Sequence, residues 1–174
     1  LYSSLLLGIF ILLISCGQPE QQDPKPNVVL IFLDDGGFDD FSPFGEPRYP
    51  TPNVQQLASE GCSYYNFYVP QAVCSASRAA LLSGCYPGRT RVFAAHGPGH
   101  HGLDPQFATL GEVLQNNGYV TACFGKWHIG DQPGHRPPSR GFDESCGLMY
   151  SNDMWKYHPE KPEKWGQWPL RYWE

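Results

Sequence analysis

The amino-acid sequence predicts an α/β protein, in which the strands of a mostly parallel sheet alternate with helices. Two apolar runs, residues 27–35 and 119–130, are typical of strands that are buried inside a sheet. Helical patterns lie between them, over residues 51–61, 75–82 and 109–118. This alternation favours the α/β class, and 174 residues are enough for one domain with a sizeable core.

Capping residues set the bounds of the predicted helices. Thr51 is a candidate N-cap with Pro52 at the first helical position, and Gly61 ends that helix. The second helix is expected to stop at Gly84. Thr109 and Glu112 form a capping box for the third, which ends at Gly118.

Two further segments complete this description of the chain. Residues 62–69 alternate and are aromatic, which predicts a strand. After residue 131 the chain is rich in Pro, Gly and Trp, and no regular element is predicted there.

The charge balance excludes one class of partner. The formal net charge is −5, and no basic stripe runs along any segment, so we expect no nucleic-acid binding.

The first residues indicate export. Residues 5–15 form an apolar run without charge that is too short to span a bilayer and fits the core of a signal peptide. Cys16 follows it, as in bacterial lipoprotein signals. We therefore expect a signal peptide over residues 1–16, lipidation of Cys16, a polar tether over residues 17–26, and attachment to a membrane through the lipid. A plain secretory signal or a short anchor is the alternative. The expected location is the bacterial periplasm or, as a lipoprotein, the outer membrane or cell surface.

Asp34 and Asp35 end the first predicted strand and precede two glycines that free the backbone. Adjacent carboxylates repel each other unless a cation neutralises them, and their oxygens suit Ca²⁺ or Mg²⁺. A solvated Asp-Gly turn is the simpler interpretation of the same residues.

Cys74 lies where the second helix is expected to begin. Unpaired N–H groups and the positive end of the helix dipole favour negative charge at that place. Arg78 is four residues further on and shares the same helical face. The alternative is a structural thiol, with Ser75 as the N-cap and Arg78 as a surface charge.

Lys126 and His128 follow each other at a spacing of two residues near the end of the last predicted strand, so both should face one side of the sheet. An ammonium and an imidazole directed at one point suit a tetrahedral oxyanion. Trp127 between them should face the core. A surface edge is the alternative, and His100 and His101 are interpreted as loop residues.

Taken together, these motifs resemble the sulfatase family. "CSASR" matches its Cys-x-Pro/Ala-x-Arg motif through Cys74, Ala76 and Arg78, and "LLSGCYPGR" is similar to the continuation. "NVVLIFLDD", "TPNVQQLASEG" and "GKWHIG" are similar to other family blocks in the same order, and "GFDESCGLMYSND" looks closest to the arylsulfatase A-like branch. The resemblance implies an alkaline-phosphatase-like fold.

The resemblance also implies a set of site residues. A maturation enzyme would oxidise Cys74 to formylglycine (3-oxoalanine), and Asp34, Asp35 and the modified Cys74 would bind one Ca²⁺ ion. Further residues would bind substrate and the hydrated aldehyde: Arg78, Lys126, His128 and Ser151.

The implied activity is hydrolysis of sulfate monoesters, aryl or carbohydrate. One hydroxyl of the hydrated aldehyde would attack sulfur, and deprotonation of the other would release sulfate. The alternatives are a phosphatase or phosphodiesterase of the related fold, and an inactive surface lipoprotein that binds sulfated glycans. By the same resemblance, residues 27–174 would be the N-terminal portion of a longer catalytic domain. We expect this portion alone to be inactive, because further metal and sulfate ligands would come from a later segment.

Four cysteines have no implied role in the site. Cys62, Cys85, Cys123 and Cys146 allow three complete disulfide pairings, among which the sequence does not choose. Cys123, in the middle of a predicted strand, is expected to be a buried free thiol.

Overall fold

The computed structural model describes residues 24–154 together with Tyr172 and Trp173. The chain divides into two compact units, of which the first ends at Asp35 and the second begins at Gly36. The predicted signal peptide, with Cys16, and most of the predicted tether lie outside the described residues. Each described helix is too short or too polar to cross a membrane.

The second unit contains all the regular elements that are described. Its helices are α1 (Pro52–Glu60), α2 (Cys74–Ser83), α3 (Pro87–Thr90) and α4 (Leu110–Asn116). Its strands are β1 (Ala122–Lys126), β2 (Glu144–Leu148) and β3 (Tyr172–Trp173), and short 3₁₀ helices cover Phe38–Asp40 and Pro137–Arg140.

The three described strands form one sheet in the order β1–β2–β3. β1 and β2 are parallel, and Ala122 pairs with Glu144 at one end and Lys126 with Leu148 at the other. β3 is antiparallel to β2. A parallel pair with helices around it confirms the predicted α/β class, although a 3₁₀ helix rather than an α-helix connects the pair.

The predicted helix ends are largely confirmed. Thr109 accepts a hydrogen bond from the Glu112 N–H (3.2 Å), and Glu112 accepts one from the Thr109 N–H (2.7 Å). Gly84 ends α2 with a left-handed φ of 64° and donates its N–H to the Ala80 carbonyl. Thr51 occupies the N-cap position of α1 as predicted. Its hydroxyl does not cap the helix, however, because it accepts the Ser42 N–H (2.9 Å).

The prediction of a buried strand over residues 27–35 is wrong for this structure. Among the described residues the segment pairs with no other strand, and it bends at Asp34 and Asp35. Its large side chains are exposed, with Val29 at 84% and Ile31 at 73%. An apolar run indicates what a segment prefers to bury, but a strand also requires a neighbour that completes its hydrogen bonds.

Three other predictions of secondary structure are corrected. Residues 62–69 are irregular, and Tyr65 packs against Phe38 and Phe44 with ring centroids 6.4 and 5.3 Å apart. Beyond residue 131, where no element was predicted, the chain forms the Pro137–Arg140 turn and β2. The last predicted strand is shorter than expected, because β1 ends at Lys126.

The core of the second unit lies between α2 and the residues that follow β1. Ala76 and Ala79 are completely buried on one face of α2, and their small side chains let the helix approach closely. Trp127 is 2% exposed and lies in this core, as predicted. The other buried members of this core are Val92, Leu103, Ile129, Met149 and Tyr150. The segments that carry the site residues on α2 and after β1 are therefore held in place by this hydrophobic core.

Candidate active site

Cys74 is the first residue of α2, and the extended Val73 is the N-cap. This confirms the predicted position of the thiol at a helix N-terminus and excludes Ser75 as the cap. Cys74 is half-buried. Its side chain therefore lies beside N–H groups that have no partner within the helix and favour negative charge.

Arg78 connects α2 to the end of β1. Its guanidinium Nη1 donates a hydrogen bond to the Lys126 carbonyl oxygen (2.5 Å), and the side chain is 9% exposed. Arg78 is thus a buried cation and not the surface charge of the alternative interpretation. Its position is fixed by the strand end that also carries Lys126.

The guanidinium of Arg78 also acts on Cys123 in β1. Burial raises the pKa of the Cys123 thiol, and the positive charge of Arg78 opposes this shift in part. Cys123 therefore remains protonated at neutral pH, as a free, half-buried thiol. None of the five described cysteines forms a disulfide.

Lys126 and Ser151 lie in direct contact. The Lys126 Nζ donates to the Ser151 hydroxyl oxygen at 3.2 Å. The parallel pairing of β1 and β2 brings them together, because Lys126 ends β1 and Ser151 follows β2 within three residues of its last residue, Leu148. Two residues that the sequence assigned to the substrate thus meet at one edge of the sheet.

His128 lies beyond the end of β1 and has a left-handed φ of 62°. The two-residue alternation of a strand therefore does not extend to it, and the prediction that Lys126 and His128 share a sheet face is corrected. The imidazole is completely buried, and its Nε2 lies 2.7 Å from the His96 carbonyl oxygen. Since a carbonyl only accepts, Nε2 carries a proton and donates it to that oxygen.

The hydrogen bonds that hold His128 in place involve the helix that carries Cys74. Ser75 is completely buried in α2, and its hydroxyl oxygen accepts the His96 N–H (3.0 Å). Because the carbonyl of the same residue holds the His128 ring, Ser75 and His128 are linked through the backbone of His96. Tyr150 packs edge-on against the His128 ring, with centroids 5.9 Å apart.

His96 has a further neighbour in His100. The two rings stack with centroids 5.0 Å apart. Burial and, to a lesser extent, the nearby His100 lower the pKa of His96, so this ring stays neutral beside the site. The sequence suggests Ser75 only as an alternative N-cap, and no pattern points to His96 or Tyr150.

Asp34 and Asp35 belong to the first unit. Both are exposed, and the chain bends at this pair with a left-handed φ of 57° at Asp35. The bend interrupts the alternation of a strand, which would send the two carboxylates to opposite faces. Their four oxygens suit Ca²⁺ chemically but fill only part of its shell of 6–8 ligands. Within the described residues, no group of three or more His, Cys, Asp or Glu side chains is arranged to hold a metal ion.

Comparison with known proteins identifies the family. The family model described as Sulfatase matches residues 26–170. The chain belongs to the sulfatase family.

Individual sulfatases agree with this membership. Human arylsulfatase A is 43% identical over 137 residues, which cover 74% of this chain and 26% of that protein. The chain thus spans about a quarter of the length of this curated relative. The crystal structure of Ps i-CgsB superposes with a TM-score of 0.70 at 32% identity, over 86% of this chain and 36% of that one. A structure of Ps i-CgsB in complex with k-i-k-neocarrahexaose gives a TM-score of 0.65 at 29% identity, over 80% and 34% of the two chains. The alkaline-phosphatase-like fold expected for a sulfatase is confirmed.

Proposed function

We propose that the full-length protein hydrolyses sulfate monoesters, with formylglycine derived from Cys74 as nucleophile and with one Ca²⁺ ion. The observation that carries this proposal is the chain of contacts from the helix of "CSASR" to the sheet edge. Arg78 of that helix binds the Lys126 carbonyl, and the Lys126 ammonium binds Ser151. These two bonds link the helix that begins at the half-buried Cys74 to two cations that belong to different elements.

Each described residue has a task that its contacts permit. Arg78 and Lys126 would stabilise the negative charge of the sulfate oxygens. Ser151 accepts a hydrogen bond from Lys126, so its own O–H is directed to another acceptor, which we assign to the substrate. His128 holds its proton on Nε2 and would receive a proton on Nδ1.

The Ca²⁺ ion and the formylglycine are assigned to residues by their chemistry. Asp34, Asp35 and the modified Cys74 would hold the cation, which would neutralise sulfate oxygens, while the hydrated aldehyde would supply the attacking hydroxyl. A maturation enzyme is the partner that this modification requires. Lipidation of Cys16 would anchor the exported protein to a bacterial membrane.

The substrate class is proposed from the relatives. Arylsulfatase A is named for aryl sulfates, and Ps i-CgsB was solved with a carrageenan oligosaccharide. Aryl and carbohydrate sulfates are therefore the substrates to test.

The deciding experiment uses the full-length protein, produced together with a maturation enzyme. Mass spectrometry of the peptide that contains Cys74 should show an aldehyde, and a chromogenic aryl sulfate should be hydrolysed faster than the matching aryl phosphate. Cys74→Ala should abolish turnover, whereas Cys123→Ala, which removes another half-buried thiol, should retain it. An unmodified Cys74 in active protein would overturn the mechanism. A preference for phosphate would indicate a phosphatase, and binding of sulfated glycans without turnover would indicate an inactive binding protein.

A further inference from the structure

A polar cavity lies in the second unit, beside the turn formed by α3. Its volume is about 640 Å³, within the range of small-molecule sites, and it opens to solvent. The walls come from α3 and the residue after it, from the loop of residues 101–107, and from His135. Cys74, Arg78, Lys126, His128 and Ser151 do not line this cavity. We name it the α3 pocket.

The charge of the α3 pocket is opposite to that of the chain. Arg89 and Arg91 line it, together with the single carboxylate of Asp104. The chain as a whole carries a formal net charge of −5, so the two guanidiniums at this cavity form a local excess of positive charge. Within residues 24–154, neither guanidinium takes part in an ion pair or a side-chain hydrogen bond. Both are therefore available to an anion from outside.

The wall that faces the arginines is fixed by backbone contacts. His135 is 8% exposed, and its Nδ1 donates to the Leu103 carbonyl (3.0 Å), which leaves Nε2 as the other polar atom of the ring. Gly102 has a φ of 71°, and a side chain there would collide with the Ile129 carbonyl oxygen. The loop therefore lies directly on the segment after β1, and the α3 pocket needs little rearrangement to receive a ligand.

Arg91 holds an unusual backbone conformation for its residue type. It is the C-cap of α3 with a left-handed φ of 60°, and its N–H donates to the Pro87 carbonyl (2.8 Å). Glycine is favoured at such positions because it has no Cβ to strain the backbone. The backbone therefore gives no reason for an arginine here, whereas a guanidinium at the pocket does.

We propose that the α3 pocket binds an anionic group of a saccharide, a sulfate or a carboxylate, at a place other than the ester that is hydrolysed. A guanidinium matches the planar oxygens of either group with two parallel hydrogen bonds. The ligand class rests on the proposed function, since a sulfated glycan substrate carries several such groups. The pocket would then select glycans by a second charge.

The test measures binding and turnover separately on the full-length protein. Calorimetry with the inactive Cys74→Ala protein would use three hexasaccharides: sulfated neocarrahexaose, carboxylated hexagalacturonate and neutral maltohexaose. Arg91→Gly removes the guanidinium and suits the local backbone, so it should fold. It should weaken binding of the preferred charged probe about ten- to hundredfold, as expected for lost hydrogen bonds to a charged group. Arg89→Gln should act in the same direction, and Arg48→Gln, at an exposed arginine that does not line the pocket, should have no effect.

The three probes distinguish a sulfate from a carboxylate as the bound group, and the aryl sulfate assay distinguishes this proposal from the proposed function. A response with neocarrahexaose alone identifies a sulfate, and one with hexagalacturonate alone a carboxylate. In the active background, Arg91→Gly should leave the hydrolysis of a small aryl sulfate unchanged and raise KM for the sulfated oligosaccharide. Unchanged affinities in both arginine variants, or equal binding of maltohexaose, would overturn the α3 pocket proposal. Absence of aryl sulfatase activity, with the arginine effects on binding intact, would overturn the proposed function alone.

Discussion

Replacement of Ser75 by alanine is expected to slow turnover although Ser75 does not touch the substrate. The Ser75 hydroxyl accepts the His96 N–H at 3.0 Å, and the carbonyl of His96 accepts the His128 Nε2–H at 2.7 Å. Ser75 is completely buried, so no water replaces the lost oxygen without rearrangement. Loss of a partner from a buried N–H costs about 1–3 kcal/mol. If the loop shifts to recover that hydrogen bond, the His128 ring moves with it.

The free energy of the lost hydrogen bond sets the size of the expected decrease in kcat. Since about 1.4 kcal/mol corresponds to a factor of ten in rate, displacement of His128 should lower kcat roughly ten- to hundredfold. KM should change little, because Arg78 and Lys126 keep their contacts. The ¹⁵N signals of the His128 imidazole should show a smaller share of the Nε2–H tautomer, an effect that a purely structural role of Ser75 would not produce.

The assay must account for the position of Ser75 next to Cys74. The variant could be converted less completely by the maturation enzyme, so rates on an aryl sulfate are divided by the aldehyde fraction from mass spectrometry. Ser83→Ala is the matched control, because its hydroxyl donates to the Ala79 carbonyl (2.6 Å) at the other end of the same helix. It should leave kcat unchanged. A Ser75→Ala protein with normal kcat per aldehyde and a normal tautomer signal would refute the reasoning.

Three further predictions concern the metal, the anchor and the pH dependence of stability. Asp35→Ala should remove bound Ca²⁺ and lower turnover about 10²–10³-fold, and full metal content in the variant would contradict the assignment. Cys16→Ser should move the protein from the membrane to the soluble fraction, whereas unchanged fractionation would indicate an uncleaved anchor. The Thr121 backbone N–H, with the Gln115 and Thr121 side chains, lowers the pKa of Asp143. Its stabilising effect should be complete above the ordinary aspartate pKa of about 3.9 and be lost as the pH falls through the lower folded value. Asp143→Asn should therefore lower Tm at pH 7 and have progressively less effect as the pH falls below about 3.9, and an equal loss across this range would exclude this linkage.

The parts of the fold that the sequence predicted are those that neighbouring residues determine. The capping box of Thr109 and Glu112 closes within one helical turn, and Gly84 ends α2 through its own φ. Cys74 stands at a helix start because the pattern after it is helical. Such features depend on contacts three or four residues apart, which the order of residue types displays directly.

The parts that the sequence did not predict depend on partners far along the chain. Residues 27–35 have the composition of a buried strand, but the described strands do not pair with them. β2, in contrast, contains Gly147 and polar residues and has a weak pattern, yet it pairs with β1 over five residues from Ala122 to Lys126. Strand propensity reflects fit to a neighbour more than a preference of the backbone itself.

The hydrogen bonds that hold the site residues in place could not be predicted from the sequence for a related reason. Two of the motif residues donate to backbone carbonyls: Arg78 binds the oxygen of Lys126, and His128 binds that of His96. Every residue has a carbonyl, so no residue type marks the position where one will be needed. The sequence therefore identifies the charged side chains of the site, while the fold alone determines which oxygens hold them. Because the His96 ring makes none of these bonds, His128 depends on where the backbone of residue 96 lies more than on which side chain it carries.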